Sequence, residues 1–86
     1  MKSDAVILYP LMTEDAVALI EQDNKLTFIV ALKATKTAVK RAIEELYETE
    51  VAQVRTLITP KGQKKAYVTL APTSRAADLA IKLGIL

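Results

Sequence analysis

The chain contains neither cysteine nor histidine. It therefore has no disulfide, thiolate ligand or thiol nucleophile, and it lacks the most common general base and metal ligand. Its two glycines, Gly62 and Gly84, stand where a turn and a helix end are expected, so no phosphate-cradling glycine loop is present. Ser3 and Ser74 have no histidine to activate them. These absences predict a protein that is not an enzyme and that uses no metal or cofactor.

Long hydrophobic runs are also missing. The apolar run from Ala5 ends at Pro10, and no run approaches the roughly 20 residues that span a bilayer. Asp4 follows Lys2 closely at the start of the chain, which is unlike a signal peptide. We expect a soluble cytoplasmic protein with no membrane insertion and no small-molecule substrate. Its 86 residues suffice for a single domain.

Aromatic residues are few. The chain has only Tyr9, Phe28, Tyr47 and Tyr67, and the positions of Phe28 and Tyr47 favour the core. The aromatic signatures with which RRM domains stack RNA bases are not found. Any RNA contact is therefore expected to involve mainly phosphate, sugar and shape.

Apolar patterns predict four strands. They span Ala5–Tyr9, Leu26–Leu32, Val51–Ile58 and Lys64–Leu70. The second strand is apolar on both alternating faces, which is typical of a strand covered on both sides. In the fourth strand, Ala66, Val68 and Leu70 are expected to point inward. The segment Thr59–Gln63, with its proline and glycine, predicts a turn that makes the last two strands an antiparallel hairpin.

Helical spacing predicts two longer helices. The first follows an N-cap at Thr13 and ends at Glu21 or Gln22. The second spans about Thr37 to Glu48. Its expected apolar stripe comprises Val39, Ala42, Ile43, Leu46 and Tyr47.

A short third helix follows a cap at Thr73 or Ser74 and ends at Gly84. The predicted order is therefore β-α-β-α-β-β-α. It indicates an α+β fold in which a four-stranded, mostly antiparallel sheet carries helices packed on its faces.

Charged side chains form three blocks along the middle of the chain. The first is cationic and comprises Lys33, Lys36, Lys40 and Arg41. The second is acidic and comprises Glu44, Glu45, Glu48 and Glu50. The third is cationic again and comprises Arg55, Lys61, Lys64 and Lys65. Although the net charge is only +2, such blocks present one-signed surfaces when they fold onto different faces.

Each block has two interpretations. The first cationic block enters a helix N-terminus, which favours phosphate binding, but it also fits a solvated helix face with Lys40–Glu44 and Arg41–Glu45 pairs. The second cationic block fits either a second phosphate site or hairpin lysines that discourage aggregation. The acidic block is interpreted as a solvated helix face and not as a metal site.

The segments YPLMTEDA, NKLTFIV, ATKTAVKRAIEELYETEVAQVRTL, KKAYVTL and AADLAIKLGIL, taken in order, resemble the family of large-subunit ribosomal protein 23. The resemblance covers nearly the whole chain. It implies that residues 1–86 form a single rRNA-binding domain, a structural constituent of the large ribosomal subunit. The implied partners are domain III of the large-subunit rRNA at the rim of the polypeptide exit tunnel, ribosomal protein 29, and signal recognition particle with other exit-site factors. The short hairpin resembles the archaeal type.

The resemblance also implies which residues bind. The rRNA-facing set, together with Arg55 from the charge pattern, is Thr13, Lys33, Thr35, Lys36, Lys40, Arg55, Lys61, Lys64 and Lys65. Glu21 corresponds to an exposed acid that docks exit-site factors. Asp15 stands where the family usually has a lysine, so a cation is missing there. The alternative class is a small regulatory domain that binds another protein or an effector through its sheet.

Overall fold

The computed structural model describes residues 3–85. Its four strands are β1 (Ile7–Pro10), β2 (Lys25–Val30), β3 (Val51–Ile58) and β4 (Lys64–Leu70). They form one antiparallel sheet in the order β1-β2-β4-β3. The helices are α1 (Ser3–Val6), α2 (Glu14–Asp23), α3 (Lys36–Tyr47) and α4 (Ala76–Lys82). The predicted α+β class and element order are confirmed; among residues 3–85, no helix has the length and apolar character to cross a membrane.

The first strand begins later than predicted. It starts at Ile7, because the residues from Ser3 to Val6 form one helical turn that packs against α3. The turn allows the adjacent residues Val6 and Ile7 both to be buried, which a strand with alternating faces does not favour. The Val6 carbonyl accepts a hydrogen bond of 2.9 Å from the Ala31 amide. The strand includes Pro10, one residue beyond the predicted end, at an edge of the sheet, where proline is tolerated.

The second strand ends earlier than predicted. Val30 pairs with Ile7 and with Lys64, which are the terminal residues of the two neighbouring strands, so the ladder stops there. Leu32 was expected inside the strand, but it is 59% exposed. All five residues from Leu26 to Val30 are buried, which confirms that β2 is covered on both faces.

The main core lies on one face of the sheet, beneath α3 and α4. On this face Phe28 is fully buried. The predicted inward residues of β4, which are Ala66, Val68 and Leu70, are buried beside it. Phe28 stacks on Tyr47 with ring centroids 6.4 Å apart, and burial raises the pKa of the Tyr47 phenol. Leu46 was predicted in the apolar stripe of α3 but is 41% exposed. The buried residues of α3 and α4 in this core are Val39, Ala42, Ile43, Ala76, Leu79 and Ala80.

The second face of the sheet is covered only in part. Helix α2 packs against β2, and its residues Ala16 and Leu19 lie over Thr27. Thr27 and Ile29 on this face of β2 are therefore buried, whereas the same face of β3 remains open to solvent. Helices on both sides of the sheet were predicted from the apolar pattern of β2.

The hairpin turn and the C-terminal stop follow the predicted glycines. Gly62 has φ +82°, and the Thr59 amide donates to the Gln63 carbonyl at 2.8 Å. Gly84 has φ +78°; its amide donates to the Ile81 carbonyl, and the next amide donates to Ala80, which is the Schellman pattern. Both positions require a left-handed backbone, which glycine adopts without steric cost.

The cap of α4 differs from the prediction. The N-cap residue is Arg75, and its side chain makes no cap hydrogen bond. The Ala76 amide instead donates to Oδ1 of Asn24, 52 residues earlier, at 2.7 Å. The Asn24 amide nitrogen donates to the Ser74 carbonyl at 2.9 Å and to the Leu70 carbonyl at 3.3 Å. Asn24 therefore joins the end of α2 to the end of β4 and the start of α4.

The hydroxyls predicted to cap α4 bind elsewhere. Thr73 Oγ1 donates to the Glu50 carboxylate at 2.8 Å, and the Glu50 amide donates to Ser74 Oγ at 3.2 Å. Glu44 accepts a hydrogen bond of 3.1 Å from the Val51 amide. The interpretation of the acidic block as a merely solvated helix face was wrong for Glu44 and Glu50, because these two carboxylates order the connection from α3 to β3.

Candidate nucleic-acid interface

Parts of the two cationic blocks meet at one end of the sheet. Lys64 pairs with Val30 of β2 and with Ile58 of β3, so the β2–α3 loop and the β3–β4 turn leave the sheet at the same end. This topology places the start of α3 beside the hairpin, although the two segments are about 30 residues apart in the chain. We call this region the loop–hairpin surface. Its members are Lys33, Thr35, Lys36, Lys40, Lys61 and Lys64.

Lys64 ties the two halves of this surface together. Its Nζ donates to the Ala34 carbonyl at 2.7 Å and to the Leu32 carbonyl at 3.3 Å. Two of its three N–H groups are thus directed at the loop, and the third makes no hydrogen bond within residues 3–85, so it can donate to a ligand. The sequence pattern predicts a cation here but not this structural contact.

The start of α3 has the geometry of an anion site. Thr35 is the N-cap, and its Oγ1 accepts a hydrogen bond of 3.1 Å from the Ala38 amide, which leaves its own proton available for donation. The first turn carries no acid, and Lys36 and Lys40 are exposed on successive turns. Lys33 is exposed in the preceding loop. The helix dipole and three ammonium groups therefore favour phosphate at this end.

Arg55 and Lys65 lie on a different surface from the other predicted residues. Arg55 pairs with Tyr67 and Leu57 pairs with Lys65 across the hairpin, so all four side chains share the partly open second face of the sheet. Lys65 Nζ lies 5.9 Å from the centre of the Tyr67 ring. Thr13, whose Oγ1 accepts from the Ala16 amide at 3.2 Å, borders the same face.

A groove runs along this second face between α2 and the hairpin strands, and we call it the sheet groove. The part between α2 and β3 encloses about 490 Å³. Its lining residues are Leu11, Thr13, Asp15, Ala16, Leu19, Lys25, Thr27, Arg55, Thr56, Leu57, Lys65 and Tyr67. Strand alternation predicts that Lys65 and Tyr67 point outward. It does not reveal that Lys25 of β2 and Leu19 of α2 line the same groove, because the groove forms only when α2 docks on the sheet.

A sequence profile of the family described as ribosomal protein L23 matches residues 5–77. The chain belongs to the ribosomal protein L23 family. The match includes all four strands, α2, α3 and every residue of both surfaces. Members of the L23 family are non-enzymatic structural proteins of the large ribosomal subunit that act in translation and bind rRNA there. The assignment confirms the resemblance to this family and favours it over a regulatory domain.

The expected docking residue of this L23 family member lies at the other end of the sheet. Glu21 is exposed near the end of α2 and lines a shallow hollow with Asn24, Arg75 and Ala77. The α2 end is adjacent to Lys25, which pairs with Thr69 at the end of the sheet opposite the loop–hairpin surface. Glu21 and the first cationic block are thus brought to separate ends of the molecule.

Proposed function

We propose that the chain binds domain III of the large-subunit rRNA through the loop–hairpin surface, at the rim of the polypeptide exit tunnel. One observation carries this proposal: the strand register and the Lys64 contacts bring two cationic segments, distant in sequence, to one side of a helix N-terminus. A phosphate backbone that crosses this end meets ammonium groups from both segments together with the free amides of α3.

The nine predicted residues have different roles in this proposal. Lys33, Lys36, Lys40 and Lys61 make the main phosphate contacts, because each is exposed at the loop–hairpin surface. Thr35 donates its hydroxyl proton beside them, and Lys64 adds its remaining N–H. The second-face residues Thr13, Arg55 and Lys65 form a separate RNA contact.

We further propose that ribosomal protein 29 lies beside the chain and that signal recognition particle and other exit-site factors bind the Glu21 end. Geometry supports the role of Glu21, because this residue is exposed at the end of the sheet that the loop–hairpin surface does not occupy. Protein docking and rRNA binding therefore do not compete. The short Thr59–Gln63 turn supports an archaeal-type protein that acts on cytoplasmic ribosomes.

We expect the chain to co-sediment with large ribosomal subunits and to bind a domain III transcript with a strong salt dependence. With about five phosphates neutralised, the logarithm of the binding constant should fall with the logarithm of salt with a slope of about −4 to −5. Filter binding over a range of KCl concentrations measures this slope. A domain II transcript of similar length is the control for specificity.

A flat salt dependence, or equal affinity for the two transcripts, would contradict the proposal. The first outcome would remove phosphate contacts as the basis of binding. The second would leave only non-specific attraction of a polyanion to lysines.

Reversing the charge at Glu21 tests the docking role. In large subunits that carry Glu21→Lys, we expect signal recognition particle to bind about 3- to 10-fold more weakly, mainly because association is slower. Glu14→Lys makes the same charge change on an exposed residue at the other end of α2 and serves as the control. Affinities measured by fluorescence anisotropy that are equal for both variants would remove Glu21 from the docking site.

A further inference from the structure

The floor of the sheet groove contains an unsatisfied polar atom. Thr27 is 3% exposed, and its Oγ1 has no hydrogen-bond partner among the described residues. Buried hydroxyls in native proteins nearly always have a partner, since an unpaired one loses its hydrogen bonds to water. Thr27 lines the groove beside Tyr67 and Lys65. Its Oγ1 is not exposed to solvent, so a ligand in the groove would reach this atom only after the α2 side chains above it had shifted.

The walls of the groove combine an aromatic ring with cations. Tyr67 lies at the centre, with Arg55 directly across the strand pair and Lys65 near its ring. Lys25 lines the same part of the groove. Asp15, at the Thr13 end, is the one acid among the residues that line it. A flat ring flanked by three cations is the arrangement with which proteins hold single-stranded nucleic acid.

We propose that the sheet groove binds an unpaired RNA nucleotide, with its base stacked on Tyr67. The flanking phosphates contact Arg55, Lys25 and Lys65. This inference rests on the proposed rRNA-binding function and adds a base-stacking site to a chain whose other RNA contacts are to phosphate. The sequence argued against base stacking because aromatic residues are few and carry no RRM signature, and it did not show that Tyr67 and Arg55 share a groove with α2.

The chemistry of the groove favours RNA over a protein partner. Protein interfaces are depleted in lysine, whereas two lysines line this groove. The contact of Lys65 with Tyr67, at 5.9 Å, is at the outer limit for a cation–π interaction. An incoming base therefore displaces the ammonium group at little cost, and the group then pairs with the adjacent phosphate.

Tyrosine substitutions test the stacking contact in the full chain. We expect Tyr67→Ala to weaken binding of fluorescently labelled hexaadenylate about tenfold, while Tyr67→Phe, which keeps the ring, stays within about twofold of the wild type. Binding of polyphosphate, which has charge but no base, should be the same for all three proteins. Hexaadenylate affinity that is unchanged by Tyr67→Ala would overturn the proposal, provided that circular dichroism shows both variants folded.

A photo-crosslinker identifies what occupies the groove in the ribosome. Large subunits are prepared with Leu57→p-benzoylphenylalanine, at a residue of the groove that is 43% exposed. A second preparation carries Lys61→p-benzoylphenylalanine at the loop–hairpin surface. We expect both to crosslink to rRNA. If position 61 crosslinks to rRNA but position 57 crosslinks to a protein or to nothing, the groove proposal fails alone, whereas loss of the rRNA crosslink at both positions contradicts the proposed function itself.

Discussion

Replacing Lys33, Lys36, Lys40 and Lys61 together by glutamine is expected to weaken binding to a domain III transcript by about 10²- to 10³-fold at 0.1 M salt. Each ammonium group that neutralises a phosphate releases a counterion, and this release is a large part of the binding free energy. The four side chains are exposed at the loop–hairpin surface, so glutamine should leave the fold intact. Lys64 is left unchanged because it holds the loop by hydrogen bonds to backbone carbonyls.

The slope of the logarithm of the binding constant against the logarithm of salt distinguishes specific phosphate contacts from an effect of net charge. The double variant Lys36→Gln with Lys61→Gln should lower the slope by about 1.8, and the quadruple variant by about 3.6, because each contact contributes about 0.9. A matched double variant, Arg75→Gln with Lys82→Gln, removes the same charge from the α4 region. If this control lowered the slope as much as the first double variant, net charge and not the loop–hairpin surface would explain the binding.

A large effect on stability is expected at Asn24, a residue outside the apolar core. Asn24→Ala should lower the free energy of unfolding by about 2–4 kcal/mol. The substitution removes the hydrogen bond to the Ala76 amide at 2.7 Å and the hydrogen bond to the Ser74 carbonyl at 2.9 Å. It also places alanine at φ +55°, a left-handed conformation that asparagine tolerates better. Urea denaturation followed by circular dichroism measures the loss.

Two further variants divide this effect between side chain and backbone. Asn24→Gly keeps the left-handed backbone without strain but loses the side-chain contacts, so the difference between glycine and alanine reports the backbone cost. Asn24→Asp keeps an acceptor for the Ala76 amide but not the donors to the Ser74 and Leu70 carbonyls. Gln22→Ala, on the exposed side of α2, is the control. A loss at Asn24→Ala no greater than that of this control would refute the role of Asn24 as a junction.

Elements governed by neighbours in sequence were predictable. The hairpin followed from strand alternation around Gly62, and the end of α4 followed from Gly84, because both glycines adopt the left-handed backbone that the turns require. The N-cap at Thr13 was predictable for the same reason, since its partner is only three residues away. The positions of the cationic segments at element ends were also predictable, but their meeting was not, because it depends on the strand register.

Features that depend on distant contacts were not predictable. Thr73 and Ser74 are good local caps, yet Asn24 occupies the start of α4, because the fold brings the end of α2 there. The exposure of Leu32 depends on where the partners of β2 end, and no local pattern encodes that. The sheet groove was missed for the same reason, since it exists only once α2 has packed over Thr27.

The contacts of Lys64 with the Leu32 and Ala34 carbonyls have a consequence for the entropy of RNA binding. A loop and a hairpin that moved independently would each have to be ordered on the RNA, which would reduce the affinity. Here the hairpin holds the loop through its ammonium group before any ligand arrives. The two cationic segments therefore meet the phosphate backbone as one preorganised surface, and more of the contact energy appears as affinity.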